Sequence, residues 1–212
     1  MSLGILGGTF NPVHVAHLRL GEVARERLGL ERVLFVPAGD PPLKVEGIVP
    51  AADRLEMVRR AVASNPRFEV LDLELRREGP SYTVETLREL SVRHPSEPFW
   101  FILGSDALAE IERWAEAEAL FGLASFAVVE RTGGSAPLRG LLAPSLAAGF
   151  REGPEGLIHE SGNELRKLEF APLGISASDL RRRVARGESI RYLVPDEVIN
   201  YIDKHQLYRE GA

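Results

Sequence analysis

The 212-residue chain contains no cysteine, which rules out a disulfide framework and a thiolate-held metal. It has no run of the ~18 apolar residues that a membrane helix needs. It also has no excess of positive charge. A formal net charge of −5 argues against a general DNA or RNA binder, whose surface is usually basic, but allows phosphate ligands gripped locally. Met1 to Gly8 carries no basic leader and no cleavage signal and runs straight into an apolar stretch, so a cytoplasmic protein is expected. What is present, 44% hydrophobic and 27% charged residues, supplies the core of one α/β domain and excludes disorder.

Apolar runs and helical periods alternate along most of the chain. Leu3 to Leu6 predicts a buried strand that meets a turn at Gly7-Gly8. A helix is expected over His14 to Leu28, with Leu18, Val23, Ala24 and Leu28 on one face and Gly29 just past its end. Strands are expected at Arg32 to Val36, Phe68 to Leu75, Phe99 to Leu103 and Ser125 to Val129. Helices are expected at Ala51 to Ser64, Tyr82 to His94 and Asp106 to Leu120, with a Pro- and Gly-rich loop over 37–50. This order predicts βαβ units and a Rossmann-like, doubly wound parallel sheet in a single domain spanning 1–212. Residues 132–167 read as an irregular surface excursion with one short helix near Leu138 to Ala148. A last strand is expected at Leu168 to Phe170. A C-terminal helical part over 175–208 holds helices at Ser178 to Arg186 and Asp196 to Lys204.

Two stretches carry chemistry. The first, Gly7-Gly8-Thr9-Phe10-Asn11-Pro12-Val13-His14, continues through Ala16 to His17. A strand ending in two glycines and then a helix places a ligand crevice beyond the strand's carboxyl end, because glycine lets a phosphate or ribose approach the backbone. The helix start adds unpaired N–H groups and a partial positive charge. His14 and His17, three residues apart, project from the same side of the first turn and suit the charge of a triphosphate. A zinc site would use a spacing of four with a nearby Glu, which is not the pattern here.

The second stretch is Ile175-Ser176-Ala177-Ser178-Asp179-Leu180-Arg181. Ser176 followed three residues later by Asp179 reads as a capping box, so a purely structural serine is one reading. The other is a second phosphate clamp, built from the hydroxyls, the helix N–H groups and the planar fork of Arg181.

Together these stretches resemble the signatures of the bacterial nicotinate-nucleotide adenylyltransferases, within the nucleotidylyltransferase superfamily with its HxGH-type motif. Ala16 stands where the family usually has Gly, and Ala177, Ser178 and Leu180 stand in its ISSTxIR motif. Four further segments follow the family pattern in order. Pro41-Pro42-Leu43-Lys44 resembles its PPHK loop with Leu43 in place of His. Ser81-Tyr82-Thr83 with Glu85-Thr86-Leu87 resembles its SYT segment. Phe101 to Asp106 resembles FIxGAD, and Trp114-Ala115 follows. Ser81 or Thr83 would also serve as a helix cap, and Asp106 as an N-cap.

The resemblance implies that Gly7, Gly8, Thr9, Phe10, Gly104, Asp106, Ile175, Ser176 and Ser178 hold ATP, and that His14, His17 and Arg181 stabilise the transferring phosphoryl group. Lys44, Thr83, Trp114, Ala115 and Arg131 would hold a pyridine mononucleotide, with Trp114 stacked on its ring. Mg²⁺ would travel with the ATP phosphates, with no dedicated protein cage. The expected partners are the small molecules ATP and nicotinate mononucleotide, with no nucleic acid and no membrane, and a homo-oligomer is left open. The competing readings are transfer to another acceptor, such as nicotinamide mononucleotide or phosphopantetheine, and a nucleotide-binding module without catalysis.

Overall fold

In a computed structural model, residues 2–42, 47–129, 137–169 and 173–209 are described. The chain runs β1 (Leu3–Gly8), α1 (Val15–Leu28), β2 (Arg32–Pro37), α2 (Ala51–Val62), β3 (Phe68–Val70) and α3 (Thr83–Arg93). It continues β4 (Phe99–Gly104), α4 (Ser105–Ala109), α5 (Ala117–Leu123), β5 (Ser125–Val129) and α6 (Pro144–Ala148). It closes β6 (Phe150–Gly153), β7 (Gly156–His159), β8 (Glu164–Leu168), α7 (Ala177–Ala185) and α8 (Asp196–Lys204). These strands form one sheet in the order β3-β2-β1-β4-β5-β8-β7-β6. All neighbours from β3 to β8 are parallel, and β6 and β7 close one edge antiparallel. The α/β architecture with a mostly parallel sheet is the one expected from the alternating pattern.

The central strands bury both faces, as a parallel sheet covered by helices requires. Leu3 and Ile5, Leu34 and Val36, Phe99 and Phe101, and Phe126 and Val128 point into one core, with α3 and α5 packed on it. The alternate residues Leu6, Val33, Phe35, Trp100, Ile102, Ala127 and Val129 point into the other, under α1, α2, α7 and α8. This period-2 division explains why the strands read as unbroken apolar runs. Among the described residues no helix is long and apolar enough to cross a membrane.

Several expectations are corrected. Residues 132–167 are not an irregular excursion: their described part extends the sheet by β6, β7 and β8. These strands have four or five residues and mixed burial, so they show little of the apolar period that marks the centre. The single helix near Leu138 to Ala148 is instead a 3₁₀ turn at Leu138–Leu141 followed by α6, with Pro144 at the start of α6 as a first-turn proline permits. The last strand is Glu164–Leu168, before the expected Leu168 to Phe170. The expected strand Phe68 to Leu75 stops at Val70 and gives way to a 3₁₀ turn at Leu73–Arg76. The expected helix Asp106 to Leu120 is broken into α4, a 3₁₀ turn at Ile111–Arg113, and α5. Glu116 adopts left-handed φ 50 and ψ 49 at that break.

The β6–β7 hairpin depends on Gly156, which has φ +153 and whose Cβ would lie 2.2 Å from the Leu165 carbonyl oxygen. Gly156→Ala is therefore expected to cost about 2 kcal/mol or more. That should lower Tm by roughly 4–8 °C, and an unchanged melting curve would contradict the tight β7–β8 approach.

Candidate active site

Strand order reverses direction between β1 and β4: from β1 the chain builds outward through β2 and β3, then returns to β4 and builds the other way. Beyond the carboxyl ends of these two strands lies the crevice where open α/β sheets take their ligands. Gly7 and Gly8 end β1, and Gly104 ends β4. A Cβ on Gly8 would sit 3.3 Å from the Phe10 ring, so the glycine leaves room for Phe10 to fold back in a left-handed turn at φ 49. The Asn11–Pro12 peptide that follows is cis.

His14 is the N-cap of α1 and is 5% exposed. The His14 and His17 rings stack, with centroids 3.7 Å apart at 23°, and the Phe10 ring meets His17 edge-on at 5.1 Å. The His14 backbone N–H donates to His17 Nδ1 at 3.2 Å. With Nδ1 accepting, the neutral His17 ring carries its proton on Nε2, which turns that nitrogen into a donor.

The two sequence stretches meet in space. Arg181 Nη1 donates to the Asn11 backbone carbonyl at 2.9 Å across 170 residues of sequence. Ser176 caps α7, its hydroxyl accepting the Asp179 N–H at 3.2 Å and lying 3.3 Å from the Ser178 hydroxyl. The cap is thus the expected one, while the Asp179 carboxylate pairs with Arg182 and Arg183. Those ion pairs hold it below the usual carboxylate range. Ile175 is half-buried just before the cap. The start of α7 therefore stands against the turn that feeds α1, and Arg181 keeps further N–H donors beyond the one on Asn11.

The other predicted residues lie on several elements. Asp106 lies in the first turn of α4 at the end of β4, exposed; the N-cap is Gly104, not Asp106. Thr83 begins α3, whose N-cap is Tyr82 rather than Ser81 or Thr83. The Ser81 hydroxyl instead accepts the N–H groups of Gly39 and Asp40 at 3.0 and 3.2 Å, tying the segment before α3 to the loop after β2. Trp114 is half-buried and meets Phe101 of β4 edge-on, with centroids 6.1 Å apart at 87°. It lies with Ala115 in the break between helices. Glu116, the next residue, takes a bidentate pair from Arg88 of α3 at 2.7 and 2.6 Å. That pair draws the Trp114-Ala115 turn towards the helix that Thr83 begins. Lys44 and Arg131 lie outside the described residues. Among the described residues no three His, Asp or Glu side chains converge to hold a metal ion.

Two residues that sequence reasoning did not single out organise the crevice. Arg54 of α2 is 1% exposed. Its guanidinium donates to the carbonyls of Thr9 at 2.8 Å, Gly39 at 3.0 Å and Val49 at 3.2 Å. Burial holds it below its ordinary value, opposed by the nearby Tyr208 and Glu74. Glu74 is itself buried, which pushes its carboxyl up, and it accepts the Thr86 hydroxyl at 2.6 Å. The backbone approaches so closely here that a Cβ on Gly39 would lie 2.3 Å from the Glu74 carbonyl oxygen. Asn11 is 3% exposed; its Nδ2 donates to the Gly47 carbonyl at 3.0 Å, and its Oδ1 accepts from Val49 N at 3.3 Å and from the Tyr208 hydroxyl at 2.8 Å. The signal for Arg54 was its place on the apolar face of α2, four residues before buried Val58 and eight before buried Val62.

The comparisons agree with this architecture. The cytidylyltransferase-like family profile matches residues 5–183. A chain from Geotalea daltonii named a probable nicotinate-nucleotide adenylyltransferase is 44% identical over 215 residues, covering 100% of each chain. One of the same name from Citrifermentans bemidjiense is 47% identical, covering 98% of each. Among solved structures, the Plasmodium falciparum nicotinic acid mononucleotide adenylyltransferase complexed with NaAD superposes with a TM-score of 0.75. It is 20% identical and covers 98% of this chain and 97% of its own, a match of fold.

Replacing Arg54 by Met would leave three loop carbonyls without their donor and Glu74 without one of the two guanidiniums that act on it. The expected loss is about 3 kcal/mol, or roughly 6–12 °C in Tm. A variant as stable as the parent would show that the two loops hold themselves.

Proposed function

Because the chain belongs to the cytidylyltransferase-like family and, within it, to the nicotinate-nucleotide adenylyltransferases, we propose that it transfers the adenylyl group of ATP to nicotinate mononucleotide, making a dinucleotide and releasing pyrophosphate. The observation that carries this reading is the docking of Arg181 on the carbonyl of Asn11, three residues before His14 and its stacked partner His17, which joins the two phosphate stretches. A triphosphate laid along this crevice meets donors on three sides: the Gly7-Gly8 turn, the His17 Nε2–H, and Arg181 with the α7 N–H groups.

The step is an in-line exchange. An oxygen of the acceptor's 5′-phosphate forms a bond to the α-phosphorus of ATP. The bond from that phosphorus to the α–β bridging oxygen breaks, and its electron pair leaves with pyrophosphate. The nucleophile is already anionic, so no base has to remove a proton, and the work is positioning and charge stabilisation. His14, His17 and Arg181 take the charge that grows on the phosphate oxygens. Mg²⁺ enters as part of the MgATP substrate, bound by the phosphates rather than by a protein cage. On the acceptor side, Thr83 and the backbone N–H of Ala115 face the pyridine carboxylate and Trp114 stacks on the ring. Lys44 is assigned to the acceptor phosphate and Arg131 to the nucleotide. The protein works as a small-molecule enzyme of the cytoplasm.

Purified protein with MgATP should release pyrophosphate at least ten times faster with nicotinate mononucleotide than with nicotinamide mononucleotide, a gap of about 1.4 kcal/mol that a carboxylate-reading site readily supplies. Release with phosphopantetheine alone would keep the fold chemistry and overturn the roles of Thr83 and Trp114. ATP binding without release for any acceptor would make the protein a non-catalytic nucleotide module. His17→Ala is expected to lower kcat by ~10²-fold or more, the usual cost of one transition-state donor; near-normal turnover would remove His17 from the mechanism.

A further inference from the structure

The geometry points to Tyr208, near the C-terminal end, as a positioning residue for the transfer step, acting through Asn11 on Arg181. The inference rests on the reading of Arg181 given above. The Tyr208 hydroxyl donates to Asn11 Oδ1 at 2.8 Å across 197 residues of sequence. The same Asn11 offers its backbone carbonyl to Arg181 at 2.9 Å. One side chain therefore links the C-terminal end, the turn that leads into His14, and the arginine of the second phosphate stretch.

Three independent features hold this contact in place. Gln206 and Tyr208 both adopt left-handed backbone, at φ 54 and φ 63, a conformation that persists in non-glycine residues only where the surroundings over-determine it. The Leu207 N–H donates back to the Ile202 carbonyl at 3.0 Å, folding the chain under the end of α8 so that the phenol points inward. The Val15 N–H, the first of α1, donates to the Leu193 carbonyl at 3.0 Å, so the C-terminal part grips the histidine helix at a second point.

The phenol sits in the field of both the Arg54 and Arg181 guanidiniums, yet burial outweighs them and pushes its ionisation far above the ordinary value. It is a hydrogen-bond donor at every pH at which the protein would work. Without that donor, Asn11 Oδ1 keeps only the Val49 N–H at 3.3 Å. The Asn11 amide is then held by Gly47 and Val49 alone, and the residue fixes Arg181 through its backbone carbonyl less tightly. Misplacing a group that acts on the transition state lowers kcat and leaves ground-state binding nearly intact.

A second tail hydroxyl provides the control. The Tyr201 hydroxyl donates to Asp53 Oδ1 at 2.8 Å and fastens α8 to α2 without touching Asn11. Tyr208→Phe and Tyr201→Phe each delete one oxygen and one hydrogen bond from the same segment, so a merely structural role would affect both variants alike.

The experiment measures pyrophosphate release and thermal melting for the wild type, Tyr208→Phe, Tyr201→Phe, Arg181→Ala and the double variant Tyr208→Phe/Arg181→Ala. Tyr208→Phe should lower kcat roughly five- to tenfold, with KM for ATP within about twofold. Tyr201→Phe should shift the melting midpoint by a similar amount and keep kcat within about twofold. In the Arg181→Ala background, Tyr208→Phe should have no further effect on kcat, because the residue it acts through is gone. Equal losses of kcat in the two phenylalanine variants, a wild-type kcat in Tyr208→Phe, or full additivity with Arg181→Ala would each overturn the inference. A wild type that releases no pyrophosphate with any acceptor would overturn the proposed function, and this inference with it.

Discussion

The guanidinium of Arg54 is a full charge removed from water in the middle of the protein, and it is tolerable only because three carbonyl oxygens from two loops point at it. One loop joins β1 to α1; the other joins β2 to α2 and supplies an oxygen near each of its ends. The described residues of neither form a helix or strand, and each would otherwise have many conformations. Moving either of them strips a hydrogen bond from a buried cation, which costs far more than loosening a loop in water. Arg54 therefore converts two flexible connections into one rigid rim. Glu74 supplies the balancing charge from behind, and Asn11 fastens the same rim from above through Gly47 and Val49.

On that rim the electrostatics are local. The chain as a whole is acidic, yet its crevice gathers the Gly7-Gly8 turn, two helix starts, two stacked imidazoles and Arg181. Phosphate binding needs donors converging within a few ångströms, and overall charge affects only the longer-range approach, which salt screens. An acidic protein can therefore present a phosphate site, and the proposed mechanism asks it for placement rather than for a nucleophile.

The proposed acceptor side lies where a helix is broken. A continuous helix over Asp106 to Leu120 would satisfy local propensity, but the α-helix ends at Ala109, a 3₁₀ turn runs to Arg113, and α-helix resumes only after a left-handed Glu116. The ring of Trp114 is seated against Phe101 from the central strand β4, and Glu116 is gripped by both guanidinium nitrogens of Arg88. An exposed ion pair adds little to stability. Its bidentate geometry fixes direction, and here that direction orients the turn between Thr83's helix and the sheet.

The sequence by itself determined the parts whose signal is local. The alternation of apolar runs and helical periods specified a parallel α/β sheet, because strands buried on both faces must be apolar throughout. The order of glycines, imidazoles, serines and arginine, with the family pattern it resembles, marked candidate phosphate-handling residues, because residue type records chemistry but not placement. The tertiary structure alone decided what depends on distant partners. Arg54 reads as one more helix charge until the carbonyls of Thr9, Gly39 and Val49 close around it. Asn11 and Tyr208 are 197 residues apart, and no local pattern links them. The strands β6, β7 and β8 are short and lack a strong period, and what joins them to the sheet is the pairing of β8 with β5, far back along the chain.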